Sequence, residues 1–371
     1  MHIAIQASDL DHARIDGTRV YLFELLKRFG QLNTSDTFAL YHKGVFNPVL
    51  TPPPFQNYTV ESLPFPKAWM QTRFAWEMFT NKPSKLFLPI QAAPLCLPNG
   101  LEVTATIHDL AWKRFPETFP LLDRLKLDLM LSTVVRQADK FIAVSHSTKR
   151  DLLEFFPHLS ESKIKVIHHG FDADFFGKRL SQEELTVKLT HYQLLTTNYF
   201  LYVGALQPRK NLVRLIEAFE QVKAECPDMK LVLAGEAAWL SDGILQARER
   251  SNYRDDILLT GRVSFEDLRA LYQGARAFVF PSLYEGFGIP ILEAFASEIP
   301  VLTAHNSSLS EVAGDGALYC DAQDVSVIAK KMKQLWQDET LRKNLVERGN
   351  EQLKHFSWDQ CARETMECIL A

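Results

Sequence analysis

Residues 277–297, AFVFPSLYEGFGIPILEAFAS, decide the fold class because they join a buried strand to a helix through a tight turn. The apolar run AFVF predicts a strand. Gly286 and Gly288 let the backbone turn sharply and approach a ligand closely. Pro290 suits the first turn of the following helix, which is predicted to run through Ser297. A strand that passes directly into a helix in this way is typical of an α/β sheet.

The same alternation of apolar strands and amphipathic helices extends along the chain and predicts parallel sheets covered by helices. It starts twice, at HIAIQAS (residues 2–8) and at FLYVGAL (residues 200–206). We therefore predict an α/β protein with two Rossmann-like domains, residues 1–180 and 198–356, whose sheets face each other across a cleft. The polar stretch 181–198 is the predicted linker.

Composition excludes several classes of protein. The 371 residues are 46% hydrophobic and 23% charged with a net charge of −4, which is typical of a globular protein and argues against coating of nucleic acid. The five cysteines form no C-x-x-C pair, which indicates reduced thiols in a cytoplasm. No metal-ligand spacing, signal peptide or run of about 18 apolar residues is present.

Two glutamates in the opening stretch are candidates for ligand binding. Glu285 precedes the predicted helix, and Glu293 lies on it about one turn from its start. The free N–H groups and dipole at the start of a helix favour an anion. A carboxylate there accepts paired hydroxyls of a ribose or a hexose. The alternative is that Glu285 caps the helix and Glu293 is exposed to solvent.

A second candidate is GALQPRKNL, residues 204–212, which follows a predicted strand and precedes a helix that Asn211 can cap. Arg209 and Lys210 then lie at the end of a strand, where the cleft of an α/β fold opens. Two adjacent cations suit a diphosphate, because Arg binds it in a bidentate manner and Lys as a point charge. The alternative is a solvated basic turn.

Two further candidates lie in the first half. Gly17, in IDGTRVYL, opens a helix after the first strand, where a loop can approach a phosphate. His108, in TIHDLAW, ends a strong strand, where it could orient a hydroxyl or move a proton, or be a structural histidine. The chain has no G-x-G-x-x-G and no G-x-x-x-x-G-K-[ST], which argues against a dinucleotide oxidoreductase and a P-loop nucleotidase.

Residues 48–98 break the alternation and are rich in Pro, Trp and Phe. One interpretation is an irregular loop with a packed helix. The other is a surface for an acceptor or a membrane. It rests on cations that flank aromatic residues, namely Lys67, Arg73 and Lys82 beside Trp69, Phe74, Trp76 and Phe79.

Taken together, these motifs resemble the retaining glycosyltransferases of sequence family four, GT-B enzymes that use nucleotide sugars. Residues 278–321, with the paired glutamates in YEGFGIPILEA, carry the most specific resemblance. Others match in order along the chain: TIHDLAWKRFPETF, FIAVSHSTKRDL, VIHHGFDADFF, LYVGALQPRKNLVRLIEAF and LTGRVSFEDLRALYQGA.

The resemblance implies a role for each candidate of the second half. Glu293 would hold the ribose hydroxyls, and Glu285 would contact the donor sugar near its reacting face. Arg209 and Lys210 would neutralise the leaving diphosphate. Backbone groups of one loop would hold sugar hydroxyls and phosphate, with Gly204 and Val263 completing the nucleotide site; the loop residues are Gly286, Phe287, Gly288 and Ile289.

In the first half, the resemblance implies that Gly17 approaches the diphosphate and His108 touches the transferred sugar. The family often has a second glycine near the first, but Asp16 and Arg19 stand close to Gly17 here, and Arg19 could itself point at a phosphate or an acidic acceptor. A final helix, residues 357–371, would cross back onto the N-terminal domain.

The expected activity is transfer of a hexose, mannose from GDP-mannose, to a glycan or lipid-linked saccharide, as in polysaccharide or O-antigen synthesis. The resemblance implies retention of configuration. A double displacement would need a carboxylate at the far face of the anomeric carbon, and none is identified, so the family's attack at the front face is expected. No D-x-D run is placed for a metal, so none is expected. A UDP-sugar donor, an epimerase of the same fold and a non-catalytic binding module remain alternatives. The expected location is cytoplasmic, with peripheral contact to the inner membrane through residues 67–82.

Overall fold

The structure is a computed structural model that describes residues 1–194 and 198–371. Residues 195–197, which belong to the predicted linker, lie outside the described residues. The described chain forms two parallel sheets, one of seven strands and one of six. The predicted α/β class with two Rossmann-like halves is confirmed.

The strands are numbered in chain order. The first sheet has the order β3-β2-β1-β4-β5-β6-β7 and the second β10-β9-β8-β11-β12-β13. Their bounds are β1 (His2–Gln6), β2 (Thr37–His42), β3 (Tyr58–Ser62), β4 (Lys85–Leu88), β5 (Glu102–Ile107), β6 (Lys140–Ala143), β7 (Ile164–Val166), β8 (Tyr199–Val203), β9 (Lys230–Ala234), β10 (Ile257–Gly261), β11 (Ala277–Phe280), β12 (Val301–Ala304) and β13 (Ala317–Cys320).

Helices separate most of these strands. Their bounds are α1 (Gly17–Leu32), α2 (Ala75–Asn81), α3 (Ala111–Arg114), α4 (Leu121–Gln137), α5 (His146–Phe155), α6 (Ala173–Gly177), α7 (Gln182–His191), α8 (Leu212–Lys223), α9 (Asp242–Arg250), α10 (Phe265–Gly274), α11 (Ile289–Ala296), α12 (Leu309–Ala313), α13 (Val325–Gln337), α14 (Glu339–Leu353) and α15 (Trp358–Leu370).

The chain divides into two compact units. The N-terminal unit comprises Met1–Leu110, Leu121–Gly170 and Phe356–Ala371, and the C-terminal unit comprises Ala111–Pro120 and Phe171–His355. The predicted domains were residues 1–180 with the final helix, and residues 198–356; in the structure the C-terminal unit instead begins at Phe171 and also includes Ala111–Pro120. The short segment Ala111–Pro120 groups with the C-terminal unit, where Trp239 Nε1 donates a hydrogen bond to the Thr118 carbonyl at 2.9 Å.

In the N-terminal unit, β3 and β4 lie inside residues 48–98, where the sequence suggested an irregular loop and a helix. The strand β3 is short and largely exposed at the edge of the sheet, so it lacks a strong apolar pattern. The strand β4 is wholly buried beside β1, but its four residues are too few to show a period.

The C-terminal helix α15 packs against α1 in the N-terminal unit, as the resemblance implied. Ser357 caps it by accepting the Asp359 N–H at 3.1 Å, and Arg28 of α1 pairs with the Asp359 carboxylate. Gly170 lies so close to the start of α15 that a Cβ there would come within 2.1 Å of the Trp358 backbone nitrogen. The end of the chain therefore lies against the first sheet, and the start of α15 contacts Gly170.

In the C-terminal unit, most of the predicted linker is helical. Ser181 begins α7 with a capping box, in which its hydroxyl accepts the Glu184 N–H and the Glu184 carboxylate accepts the Ser181 N–H. Lys188 of α7 pairs with Asp267 of α10 at 2.8 Å. A polar composition alone could not distinguish this amphipathic surface helix from a linker, because both expose many polar side chains.

Candidate active site

The predicted strand, turn and helix of residues 277–297 are present as β11, a loop and α11. Gly288 precedes α11 with a φ of 115°, a conformation that favours glycine, and a Cβ there would approach Leu309 to 3.3 Å. Pro290 lies in the first turn of α11, as predicted. Phe287 and Ile289 flank Gly288, so their backbone groups lie at the start of the helix.

Glu285, within this loop, is held between two cations. Lys210 Nζ lies 2.5 Å from Glu285 Oε1, and Arg209 Nη1 lies 3.0 Å from Oε2. The same Arg209 nitrogen donates to the Tyr284 carbonyl, and Lys210 Nζ lies 5.4 Å from the centroid of the Phe280 ring. All three charged side chains are buried, so neither the solvated basic turn nor the helix-capping glutamate is correct.

The charges in this cluster determine the protonation of Glu285. Burial by itself would raise the pKa of the carboxyl, but the charges of Lys210 and Arg209 outweigh it and lower the pKa to about 2. Glu285 is therefore ionised at neutral pH. Two cations thus share the Glu285 carboxylate in a buried place, an arrangement of side chains that suits an anionic ligand.

Two serines that the sequence analysis did not single out fix the backbone of the loop. Ser308 Oγ lies 2.8 Å from the Glu285 carbonyl and 2.7 Å from the Phe287 carbonyl. Ser307 Oγ accepts the Glu285 N–H at 3.0 Å. Both serines follow β12, the neighbour of β11, so their position at the carboxyl edge of adjacent parallel strands was the available signal.

Asn211 occupies the predicted position just before α8. Its side chain makes no capping hydrogen bond to the helix, so the predicted cap is wrong. Its backbone is left-handed, with a φ of 63°. Its Nδ2 instead donates to the carbonyls of Pro281 and Ala322 at 3.1 and 2.6 Å. Asn211 thus ties the basic turn to the loop after β11.

Glu293 lies on α11, just over one turn from its start, as predicted. It is partly buried, and the Tyr272 hydroxyl donates a hydrogen bond to Oε2 at 2.9 Å, so the exposed-helix alternative is wrong. Burial raises the pKa of Glu293 to about 7; the Tyr272 bond lowers it slightly and the charge of Asp172 raises it. Tyr272 was not predicted, because its partner lies on a different helix.

Gly204 and Val263 lie at the same carboxyl edge of the second sheet. Gly204 follows β8 with a φ of 146°, and Gly235 lies so close that a Cβ there would come within 2.0 Å of the Gly204 carbonyl oxygen. Val263 is half-buried and follows β10, at the far edge of the sheet. The structure therefore brings Arg209, Lys210 and Glu285 into contact and places Val263 three strands from β11.

His108 directly follows β5 in the N-terminal unit, as predicted. Its Nε2 lies 2.8 Å from the Pro89 carbonyl oxygen, and we assign the hydrogen to Nε2 because a carbonyl can only accept. Burial lowers the pKa of His108. The ring is therefore neutral with a lone pair on Nδ1, which favours orienting a hydroxyl over moving a proton.

Aromatic rings surround His108. The Tyr21 ring meets it edge-on at 5.2 Å between centroids, and His169 lies at 5.6 Å. Tyr21 and His169 stack at 4.8 Å, and Trp358 of α15 lies 5.6 Å from His169. His169 lies in the VIHHG motif, but its approach to His108 depends on the pairing of β6 with both β5 and β7 and was not predicted.

Gly17 is the first residue of α1, as predicted. Asp16 caps the helix by accepting the Arg19 N–H at 3.3 Å, and its carboxylate also pairs with the Arg19 guanidinium. Arg19 Nε donates to the Asp9 carbonyl at 3.2 Å. Arg19 therefore holds the loop before α1 in place, in contrast to the alternative in which it points at a ligand.

Residues 67–82 contain both buried and exposed aromatic side chains. Trp69 and Phe74 are buried and stack at 5.0 Å, with Trp69 Nε1 donating to the Leu63 carbonyl at 2.8 Å. Trp76 is 63% exposed and Phe79 is 45% exposed. The segment is thus a packed helix with an exposed aromatic face.

The sequence matches two known protein families, and both are the kind of family that the motifs indicated. Residues 15–175 match the family described as Glycosyltransferase Family 4, and residues 191–352 match Glycosyl transferases group 1. The two matches cover most of the chain and divide it into halves that correspond to the two sheets.

Several curated relatives are mannosyltransferases. The chain is 34% identical over 273 residues to O-antigen chain mannosyltransferase B of Escherichia coli, covering 73% of this chain and 71% of that protein. It is 28% identical to O-antigen chain mannosyltransferase RfbU of Salmonella typhimurium over 60% of this chain and 57% of the relative. It is 29% identical to the serotype-specific mannosyltransferase WbdA of Escherichia coli, of which it spans only 28%.

Solved structures share the fold. Anabaena HepE in complex with UDP and glucose aligns over 99% of this chain and 98% of its own with a TM-score of 0.77 at 16% identity. WaaG, a glycosyltransferase involved in lipopolysaccharide biosynthesis, aligns over 100% and 99% with a TM-score of 0.74 at 12% identity. The chain therefore belongs to the glycosyltransferases of sequence family four and has the GT-B fold.

Proposed function

We propose that the enzyme transfers mannose from GDP-mannose to a hydroxyl of a glycan or lipid-linked saccharide during synthesis of a polysaccharide or O-antigen. The observation that carries this proposal is the buried cluster in which Arg209 and Lys210 both contact Glu285, in the loop just before α11. The mannosyltransferase activity of the relatives supports the choice of sugar.

In this proposal the cluster binds the diphosphate of the donor. Arg209 and Lys210 stabilise the charge that grows on the leaving group, and the backbone N–H groups of residues 286–289 add to it. Both cations are already oriented by Glu285, so little reorganisation accompanies the reaction. Because the positive charge is supplied by side chains, no metal ion is required for this step.

Glu285 has a second role in the proposal, at the donor sugar. Each of its oxygens contacts a cation, so the carboxylate accepts hydroxyls and is poorly placed to attack the anomeric carbon. Transfer would then proceed at the front face with retention of configuration, and the leaving phosphate would take the acceptor proton. Glu293 would hold the ribose, Gly204 would adjoin the donor, and Val263 would line the base pocket.

Two residues of the N-terminal unit have proposed roles of their own. His108 presents a neutral Nδ1 lone pair that can accept a hydroxyl of the transferred sugar. Gly17 opens α1 beside the capped turn of Asp16 and Arg19 and would let the backbone approach the diphosphate. Both assignments rest on the resemblance and on the position of these residues after β1 and β5.

We also propose peripheral contact with the inner face of the cytoplasmic membrane. No α-helix among the described residues has the length and apolar character needed to cross a bilayer. Trp76 and Phe79 are exposed on α2, and α4 exposes four leucines on its first half, Leu121, Leu122, Leu125 and Leu129. Gln71 binds the Leu95 N–H at 2.6 Å and Gln137 binds the Leu95 carbonyl at 2.6 Å, which connects the two regions.

A donor panel tests the function. GDP-mannose should raise the melting temperature more than UDP-glucose, because a ligand that binds only the folded state stabilises it by mass action. Product analysis with a lipid-linked saccharide should then show mannosyl transfer with retained configuration. Stabilisation by UDP-sugars alone would favour a UDP-dependent transferase, and isomerisation of donor without acceptor would indicate an epimerase.

The membrane contact has its own test. Trp76→Ser with Phe79→Ser should reduce sedimentation with vesicles of anionic lipid while leaving donor binding unchanged. Val187→Ser, an exposed apolar residue on α7, is a matched control that should not change sedimentation. Equal sedimentation of all three proteins would refute a contact through residues 67–82.

A further inference from the structure

We infer that Gln207 binds a hydroxyl of the transferred hexose and so helps to select the donor sugar. This inference rests on the proposed function, because it takes the basic turn to be part of the donor site. It adds a residue that neither the motifs nor the family comparisons assign.

Gln207 opens the turn that carries both cations. Its carbonyl accepts the Lys210 N–H at 3.0 Å, and the Arg209 carbonyl accepts the Leu283 N–H at 2.9 Å. The Arg209 side chain donates a hydrogen bond to the Glu285 carboxylate. The turn is therefore hydrogen-bonded to the loop after β11 at both backbone and side chain, and Gln207 lies two residues from the charged cluster.

The carboxamide of Gln207 is buried without its expected hydrogen bond. The residue is 5% exposed, and among the described residues no donor lies within hydrogen-bond distance of its buried Oε1. Buried polar atoms are almost always paired, because an unpaired one carries the full cost of desolvation. A ligand that supplies a donor would remove this cost.

The nearby amide of Asn211 shows the contrasting case. Its Nδ2 donates to two backbone carbonyls, and its Oδ1 accepts from Arg214 at 2.9 Å. Asn211 is therefore saturated by the protein itself and has a structural role. Gln207, four residues earlier in the same turn, retains an acceptor for another molecule.

The chemistry of Oε1 identifies which part of the donor it fits. An amide oxygen only accepts, and the diphosphate oxygens carry no hydrogen at neutral pH, so they cannot satisfy it. A sugar hydroxyl can. The ribose hydroxyls are assigned to Glu293 and the N–H groups of the base to the pocket beside Val263, so the donor that we assign to Gln207 is a hydroxyl of the transferred hexose.

The experiment compares binding of GDP-mannose with binding of GDP by calorimetry. Gln207→Leu should weaken GDP-mannose about tenfold, which corresponds to loss of a hydrogen bond of about 1.4 kcal/mol, and leave GDP unchanged. Gln207→Asn withdraws the amide by one methylene and should show the same selective loss. Equal weakening of both ligands, or of neither, would overturn the inference, including the case in which Oε1 holds only a structural water.

Gln273→Leu is the matched control. Gln273 lies in the same unit, where its side chain binds the Lys178 carbonyl and the Leu180 N–H at 2.9 Å each. Its loss should lower the melting temperature without changing the ratio of the two affinities. If wild-type protein binds neither ligand, the proposed function fails; if it prefers GDP-mannose and Gln207→Leu keeps that preference, only the inference about Gln207 fails.

Discussion

Two clusters lie after the carboxyl ends of strands, the Glu285 cluster in the C-terminal unit and the His108 cluster in the N-terminal unit. They consist of different kinds of side chain. Glu285 is surrounded by two cations at 2.5 and 3.0 Å. His108 is surrounded by the rings of Tyr21 and His169 and is fixed by a backbone carbonyl. One cluster is charged and the other is neutral at pH 7.

In the proposed function, this difference gives the two clusters different uses. Burial strengthens the interaction of the cations with an incoming anion, and the Glu285 carboxylate offsets the repulsion between the two cations. Burial of His108 has the opposite use, because it keeps the ring neutral and presents a lone pair to a hydroxyl. The charged cluster suits the leaving group, and the neutral cluster suits the sugar.

Replacing the cations should have the largest effect. Arg209→Ala with Lys210→Ala should reduce turnover by about 2–4 kcal/mol, or roughly 30- to 1,000-fold, because the growing charge on the diphosphate loses its preorganised partners. It should also destabilise the fold by about 3–5 kcal/mol, since Glu285 is left buried without a cation. Steady-state kinetics and chemical unfolding measure the two effects.

A third substitution separates these two effects. Adding Glu285→Gln to the double variant removes the buried charge and should restore most of the stability without restoring turnover. If the double variant turned over at nearly the wild-type rate, the assignment of Arg209 and Lys210 to the leaving group would be wrong. If the triple variant were as unstable as the double variant, the electrostatic origin of the instability would be wrong.

Changing the neutral cluster should have a smaller and more selective effect. His108→Phe keeps a ring beside Tyr21 and His169 but removes the Nδ1 acceptor, so kcat/KM for the donor should fall about tenfold while GDP binding is unchanged. The pH profile of the remaining activity should match that of the wild type. A lost inflection in this profile would mean that the imidazole moves a proton.

His42→Phe provides the control for this variant. His42 is buried in the same unit, pairs with Asp11 at 2.9 Å and stacks on Phe46. Its replacement should lower stability and leave kcat/KM for the donor unchanged. A donor defect of equal size in both variants would assign the effect of His108→Phe to general disruption.

The difference between the clusters also explains how far the sequence could be interpreted. The strands of the C-terminal unit are short, apolar and bounded by turns, so the alternation of strand and helix was predicted there, together with the loop and helix that carry Glu285 and Glu293. Strands β3 and β4 were missed, because an exposed edge strand and a four-residue strand lack a period.

Partners that lie far apart in the chain could not be predicted. Residue types and spacing suggested that Arg209 and Lys210 meet an anion, but the pairing with Glu285 depends on β8 lying beside β11. Tyr272 reaches Glu293 from a different helix, and His169 reaches His108 through the order of β5, β6 and β7. A single sequence specifies which side chains are available, whereas the topology determines which of them touch.

Replacing Glu293 should have the smallest effect, but its direction with pH is well defined. Glu293 lies in the same unit as the Glu285 cluster, yet its pKa is raised to about 7 from 4.5. The folded protein then keeps a proton that the unfolded chain releases above pH 4.5, so this carboxyl reduces stability progressively as the pH rises to about 7. Glu293→Gln should therefore melt close to the wild-type temperature at or below pH 4.5 and roughly 2–4 °C higher at pH 8, because the unfolded variant gains nothing by releasing this proton. GDP affinity should rise with pH through 7 in the wild type, because the ionised carboxylate accepts the ribose hydroxyls, and should be flat in the variant. The exposed Glu298→Gln should reproduce neither trend, and a variant less stable than wild type at pH 8 would show that the Tyr272 bond outweighs the cost of burying the charge.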